Sequence, residues 1–151
     1  MEYGLRLCDT YATEIGDYVL ILILLEYGLR RHDVIVHRKG ATLARKGTTG
    51  IIPGSQGTAS YIVEGLGNPD SFCSCSHGAG RLMSRTAAIH NLNLNEEVAR
   101  LESLGIVHAI RCQDDMQEAS GAYKDIETVI HNEADLVKVK TRLLPVAVIK
   151  G

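Results

Sequence analysis

Apolar residues in this chain are concentrated in short segments, the longest of which is the aliphatic run from Val19 to Leu25. That run is far shorter than the roughly 20 residues that a membrane-spanning helix needs. It therefore predicts a buried strand or helix, or an apolar surface that a partner covers. Five further short segments have the β-branched or alternating pattern of strands: 33–37, 61–63, 106–110, 136–141 and 146–149.

Three stretches predict helices. The best marked begins after Asn93, a capping residue with Glu96 three positions later, and ends at Gly105. Its apolar residues fall on one face: Val98, Leu101 and Leu104. Residues 82–89 and 123–132 predict the other two helices, the last with Ile126, Val129 and Ile130 buried. About three helices among short strands predict an α+β fold.

A glycine- and hydroxyl-rich stretch, "IPGSQGTASY", precedes the strand at 61–63. Its glycines allow a ligand to approach the backbone closely, and Ser55, Thr58 and Ser60 offer short hydrogen-bonding side chains. The spacing is not that of a P-loop, because no Gly-Lys-Ser/Thr follows. The stretch is either a tight turn or a ligand-binding loop.

A second glycine-rich stretch, "SCSHGAGRLMSR", places His77 before small residues that leave its ring accessible. Backbone N–H groups of such a loop can face a phosphate. Arg81 and Arg85 are four residues apart, so on a helix they would share one face and form a two-guanidinium clamp. A neutral imidazole can also attack phosphorus. His77 is thus either a structural histidine or a nucleophile beside phosphate-binding arginines.

Two other segments allow similar alternatives. Arg38 and Lys39, at the end of the strand in "VHRKGAT", form either a phosphate-binding site or a solvated basic turn. Tyr123 in "GAYKDI" has a ring that could stack on a base or could belong to the edge of the core.

Composition fits one ordinary domain of 151 residues, with 45% hydrophobic and 23% charged residues. The net charge of −2 excludes a general polybasic nucleic-acid binder, so contacts with phosphate must come from local clusters. Four cysteines without a signal peptide indicate reduced thiols and a cytoplasmic location. Cys73, Cys75 and His77 could hold zinc, but without a second ligand pair they fit small buried thiols better.

The four motifs HRKGAT, IPGSQGTASY, SHGAGRLMSR and GAYKDI, together with a terminal VIKG, occur here in one order. That set closely resembles the C-terminal part of the RtcB family of RNA ligases, over residues 34–151. Residues 1–33 form an atypical N-terminal segment. The resemblance implies an α+β architecture of layered, mostly antiparallel sheets around a cleft. It also implies an enzyme that uses GTP and Mn²⁺ to join RNA 3′-phosphate or 2′,3′-cyclic phosphate ends to 5′-hydroxyl ends, in tRNA splicing and RNA repair.

The resemblance also implies roles for individual residues. His77 would attack GTP and carry GMP as a phosphoramidate. The nucleotide would be bound by Ser55, Ser60, Gly78, Ala79, Gly80, Tyr123 and Lys150, with Tyr123 stacked on guanine. Phosphate or RNA would be bound by Arg81, Arg85, Arg38 and Lys39.

The departures from the family concern the metal. Most manganese ligands of the family lie upstream of the matching region, and Leu20 or Ile21 stands near the position of a further ligand histidine. We therefore assign no metal ligand in this chain and expect little ligase activity from it alone, since the metal neutralises and orients the triphosphate. The alternatives are a non-catalytic nucleotide- or RNA-binding remnant, or half of a split enzyme. The aliphatic run would then contact a missing N-terminal half or a second copy, and no membrane is implied.

Overall fold

A computed structural model of the protein describes the backbone of residues 19–22 and 35–149, and side chains from residue 39 to residue 149. The chain divides into two compact units, Met1–Ala41 and Thr42–Gly151. In the first unit, β1 (Val19–Leu22) and β2 (Ile35–Arg38) form an antiparallel pair. The first part of the aliphatic run is therefore a strand. The predicted boundary between residues 33 and 34 remains a prediction.

The remaining strands form small sheets. Their bounds are β3 (Ala41–Leu43), β4 (Thr49–Ile52), β5 (Ser60–Gly65), β6 (Ser74–Ser76), β7 (Val107–His108), β8 (Val137–Leu143) and β9 (Ala147–Val148). Strands β4, β5 and β8 form an antiparallel sheet with β5 in the middle, β3 pairs with β6, and β7 runs parallel to β9. The predicted preponderance of short antiparallel strands is confirmed.

The core of the second unit lies against the central strand β5. Alternate residues of β5, including Tyr61 and Val63, are buried, as the two-residue period of a strand requires. Ile52 from β4, Val137 from β8 and Ile126 complete the centre of this core. The sheet therefore packs through one face, and its edge strand β8 is exposed after Val137.

Helices connect these strands and have side-chain caps at their N-termini. The α-helices are α1 (Arg85–Asn91), α2 (Leu94–Ser103) and α3 (Ile126–Asn132), and Gln113–Glu118 and Ser120–Ala122 are 3₁₀ turns. The N-caps of the three α-helices are Ser84, Asn93 and Asp125, and the side chain of each accepts from backbone N–H groups of the first turn. Within the described ranges, none of the helices has the length and apolar character that a membrane crossing requires. The α+β class is confirmed.

Capping accounts for two differences from the predicted boundaries. Helix α1 begins at residue 85 rather than 82 because Ser84 caps it, and α3 begins at 126 rather than 123 because Asp125 caps it. The strand predicted at 106–110 is only Val107–His108. Leu104 follows the end of α2 and is 56% exposed, so it is not part of the buried face.

Candidate functional site

The two glycine-rich loops lie side by side, each directly after a strand. His77 follows the end of β6 and is exposed, and Ala79 two residues later donates its N–H to the carbonyl of Pro53 at 3.0 Å. An added Cβ at Gly78 would lie 3.0 Å from the same carbonyl oxygen, so only glycine fits there without a shift. The loop of His77 is thus attached to the start of the loop Pro53–Ser60.

Hydroxyl groups hold the loop Pro53–Ser60 in shape. The N–H of Ser55 donates to Thr58 Oγ1 at 2.6 Å, the two hydroxyl oxygens are 2.9 Å apart, and the N–H of Gly54 donates to Ser60 Oγ at 3.3 Å. Ser55 and Ser60 are half-buried. Beside them, Gln56 Oε1 is buried and has no hydrogen-bond partner among the described residues. The loop therefore holds the half-buried hydroxyls of Ser55 and Ser60 in a fixed arrangement, and short hydroxyl side chains of this kind can bind a polar ligand such as a nucleotide.

Backbone hydrogen bonds join the other end of the His77 loop to the segment around Tyr123. The N–H of Leu82 donates to the carbonyl of Ala122 at 2.8 Å, and the N–H of Lys124 donates to the carbonyl of Gly80 at 2.9 Å. Gly80 has a φ of 73°, a conformation that glycine adopts without strain. Three of the four sequence motifs are therefore in direct contact.

Arg81 has many contacts within this junction. Its guanidinium lies over the ring of Tyr123, with Cζ 4.9 Å from the centroid, and its Nη1 is 3.1 Å from the Tyr123 hydroxyl. Its Nε donates to the carbonyl of Met83 at 3.0 Å and its Nη2 to that of Gln117 at 2.6 Å. One face of the Tyr123 ring is thus covered by a cation, and Arg81 is fixed by several groups.

The predicted helical clamp of two arginines is wrong in its geometry. Arg81 lies outside α1, which begins at Arg85, so the two residues do not share a helix face. They nevertheless converge on one carboxylate: Glu118 accepts from Arg81 Nη1 at 3.3 Å and from Arg85 Nε at 3.2 Å. The two guanidinium groups are brought together by an acid that the sequence motifs do not contain.

Glu118 and Tyr123 are joined by a hydrogen bond, in which the Tyr123 hydroxyl donates to Glu118 Oε2. Burial and this carboxylate together raise the pKa of Tyr123. Burial by itself would raise the pKa of Glu118, but the bonds from Tyr123 and Arg85 and the charges of the two arginines outweigh it and lower that pKa. At neutral pH the group is therefore one carboxylate, one neutral phenol and two guanidinium cations.

A second acid, Glu97, is connected to the loop Pro53–Ser60 through hydrogen bonds. Buried Glu97 accepts from Arg100 Nε at 3.1 Å, from Arg100 Nη2 at 3.0 Å and from the N–H of Ser120 at 3.0 Å. Arg100 also donates to Ser120 Oγ, which accepts from the N–H of Gly57 at 3.2 Å. A continuous chain of hydrogen bonds thus connects α2 to the loop.

Three predicted site residues remain: Lys150, Arg38 and Lys39. Lys150 and the side chain of Arg38 lie outside the described part of the chain, and Lys39 is exposed. Their predicted roles remain predictions.

The structure gives no support to the zinc alternative at Cys73, Cys75 and His77. Within the described ranges no three cysteine, histidine or carboxylate side chains come close enough to hold a metal. Cys73, Cys75 and Cys112 are free thiols, and burial, with the nearby charge of Glu133, raises the pKa of Cys75.

Sequence reasoning missed both acids, Glu118 and Glu97. Glu118 lies five residues before Tyr123, in "QEASGAYKDI", where the only signal is one acid ahead of an aromatic motif. Glu97 lies in the first turn of α2, where an acid is explained by the helix dipole alone. Neither signal points to a contact with a distant loop.

Comparisons with known proteins agree with the motifs. The family model described as "tRNA-splicing ligase RtcB" matches residues 24–151. The chain is 46% identical over 122 residues to the RNA-splicing ligase RtcB of Escherichia coli strain K12, which covers 79% of this chain and 28% of that protein. It is 39% identical over 140 residues to the tRNA-splicing ligase RtcB of Pyrococcus horikoshii, covering 81% of this chain and 16% of that protein.

A third relative, the tRNA-splicing ligase RtcB of Nanoarchaeum equitans, is 37% identical over 142 residues, covering 81% of this chain and 29% of that protein. The chain thus spans less than a third of the length of each of these relatives. The family model nevertheless matches most of the chain, over the motifs whose geometry is described above. The chain therefore belongs to the RtcB family of tRNA-splicing ligases.

Proposed function

We propose that this chain supplies the nucleotide-binding and guanylylation part of an RNA ligase. That ligase joins RNA 3′-phosphate or 2′,3′-cyclic phosphate ends to 5′-hydroxyl ends, as in tRNA splicing and RNA repair. The observation that carries the proposal is the attachment of the exposed His77 loop to the loop Pro53–Ser60 through the hydrogen bond from Ala79 to Pro53. An accessible imidazole beside a loop of hydroxyls and glycines is suited to nucleotide chemistry.

The reacting residue in this proposal is His77. A lone pair of its imidazole attacks the α-phosphorus of GTP, an N–P bond forms, and the bond to the leaving pyrophosphate breaks. The GMP then passes to the RNA 3′-phosphate, and the 5′-hydroxyl of the second RNA end displaces it. Ser55, Ser60 and the Gly78–Gly80 backbone would hold the nucleotide, and the ring of Tyr123 would stack on guanine.

The residues described here do not fit the manganese of the family, because no three metal-ligating side chains converge in the described part. We therefore propose that the ligands of the metal come from outside residues 39–149. The isolated chain should accordingly form little or no GMP adduct. A stoichiometric adduct on the isolated chain, seen by mass spectrometry after incubation with GTP and Mn²⁺, would refute this part of the proposal.

The catalytic part is tested in a chimera in which residues 24–151 replace the corresponding portion of the Escherichia coli relative. We expect a GMP adduct located on His77 and ligation of a 3′-phosphate RNA to a 5′-hydroxyl RNA. The variant His77→Asn should abolish both, whereas His90→Asn, at an exposed histidine of α1, should leave both intact. Equal activity of the two variants would show that His77 is not the nucleophile.

A second candidate function is that of a non-catalytic binding module or one half of a split enzyme. Exposed apolar side chains next to the β7–β9 pair favour it: Val107 is 68%, Val146 is 80% and Ile149 is 83% exposed. Such a group favours a covering partner, either an N-terminal half or a second copy of the chain. Light scattering across a range of concentrations separates the two, since only a second copy gives a concentration-dependent mass for the purified chain.

A further inference from the structure

Glu118 is the one described carboxylate that contacts both arginines of the proposed phosphate site. Its Oε2 accepts from Arg81 Nη1 at 3.3 Å and from the Tyr123 hydroxyl, and its Oε1 accepts from Arg85 Nε at 3.2 Å. The side chain is 28% exposed, so solvent and ligands reach it. An anion that approaches these arginines must therefore compete with a carboxylate already bound there.

The two arginines depend on Glu118 to different degrees. Arg81 keeps its contacts with two backbone carbonyls and with the Tyr123 ring if Glu118 is removed. The Arg85 side chain is 70% exposed, and its ion pair in the described part of the chain is with Glu118. Arg85 is thus the cation that an incoming ligand can take over.

The charge of the ligand determines whether it can replace Glu118 as the partner of Arg85. An exposed carboxylate–guanidinium pair contributes at most about 1 kcal/mol, because water competes for both groups. A phosphate monoester carries close to two negative charges and three acceptor oxygens, and binds a guanidinium more strongly than one carboxylate does. A backbone phosphodiester carries one charge, and a terminal hydroxyl carries none. Only the monoester is well matched to displacing Glu118.

We propose that Glu118 is a positioning residue. Its ion pair holds Arg85 in place until a phosphate monoester binds Arg85 instead, so that the site selects phosphorylated ends. The inference rests on the proposed function and on the predicted binding of phosphate or RNA by Arg81 and Arg85. The monoester could come from the RNA terminus or from free phosphate, and both should bind through Arg85.

The variant Glu118→Gln tests this directly by removing the competing charge. We expect the full chain carrying it to bind a fluorescent RNA with a 3′-phosphate roughly three- to tenfold more tightly than the wild type, by anisotropy. Binding of the same RNA with a 3′-hydroxyl should change much less. The added variant Arg85→Ala should remove the gain, and inorganic phosphate should compete with the phosphorylated RNA.

Glu64→Gln is the matched control. Glu64 forms an exposed ion pair with Lys140 at 2.7 Å, so this variant changes the net charge by the same amount and also leaves one cation without its carboxylate. An equal gain in both variants, or no gain in Glu118→Gln, overturns the inference while leaving the proposed function intact. Failure of the wild type and all variants to prefer the 3′-phosphate overturns the proposed function and the inference with it.

A measurement on the wild-type protein keeps the test valid if Glu118→Gln does not fold. The Nε–Hε nuclear magnetic resonance signal of Arg85 should shift on addition of the 3′-phosphorylated RNA, whereas that of Arg81 should stay near its free position. The signals can be assigned from Arg→Lys variants. A shift confined to Arg81 would contradict the proposal, because Arg85 would then not be the arginine that leaves Glu118 to bind the phosphate.

Discussion

Replacement of Glu97 by alanine should destabilise the second unit strongly, although Glu97 belongs to none of the sequence motifs. The carboxylate is 8% exposed and accepts three hydrogen bonds, two from Arg100 and one from the N–H of Ser120. Alanine removes both acceptor oxygens and with them all three hydrogen bonds. The loss reaches the loop Pro53–Ser60, since Ser120 Oγ accepts from the N–H of Gly57.

The magnitude follows from what each donor can do afterwards. The Arg100 side chain is 36% exposed and can be rehydrated, so the cost stays below that of a fully buried, unpaired charge. The half-buried N–H of Ser120 loses its acceptor and contributes its own desolvation cost. Together these terms predict a loss of about 3 kcal/mol in the free energy of unfolding. For a chain of this size that corresponds to a fall in melting temperature of ~9 °C.

Thermal denaturation followed by far-ultraviolet circular dichroism measures this loss. The control is Glu96→Ala, which removes the neighbouring but exposed carboxylate; among the described residues its side chain accepts a hydrogen bond from Asn93 Nδ2, at 3.3 Å. The control should melt within about 2 °C of the wild type. If Glu97→Ala and Glu96→Ala melt at the same temperature, the link from α2 to the loop contributes nothing to stability and the reasoning fails.

Three further predictions use the same melting assay. Gly54→Ala should be severely destabilising, because the new Cβ would meet the backbone carbonyl group of Ala59, whereas Gly50→Ala meets only side-chain methyls at 3.7 and 3.8 Å and should cost little. Arg81→Ala should cost about 2–3 kcal/mol and Arg85→Ala less than about 1 kcal/mol, since only Arg81 is held on several sides. Acid should also destabilise the fold. Burial would raise the pKa of Glu97, but its bonds from Arg100 and Ser120 lower it below 4.5, so its contribution is complete above pH 4.5 and is lost as the pH falls through the lowered value.

Secondary structure was predictable wherever a local signal was sufficient. The cap at Asn93 placed the start of α2 correctly, and the alternating pattern after residue 136 placed most of β8. The errors are at ends set by competing local signals. The sequence predicted a start of α1 at residue 82, just after the glycine-rich stretch, but Ser84 accepts from the N–H of Ala87 and fixes the first turn there.

The candidate site was predictable only in part, because its motifs indicate the functional residues but not the distant residues that hold them in position. The glycine spacing in "SHGAGR" indicated an accessible His77, which is exposed directly after β6. Nothing local indicated that Arg81 and Arg85 would meet through Glu118, since 33 residues separate Arg85 from that acid. Contacts over such distances depend on how the strands and 3₁₀ turns pack.

The different surroundings of the two arginines determine how their roles can be separated. Arg81 is part of the junction between the His77 loop and the Tyr123 segment, so a loss of binding after its substitution would not distinguish a missing phosphate contact from a displaced loop. Arg85 is 70% exposed, and its substitution should leave the junction in place. Binding measurements on Arg85 variants of unchanged stability are therefore the ones that can assign a phosphate-binding role, and those on Arg81 variants need the melting temperature beside them.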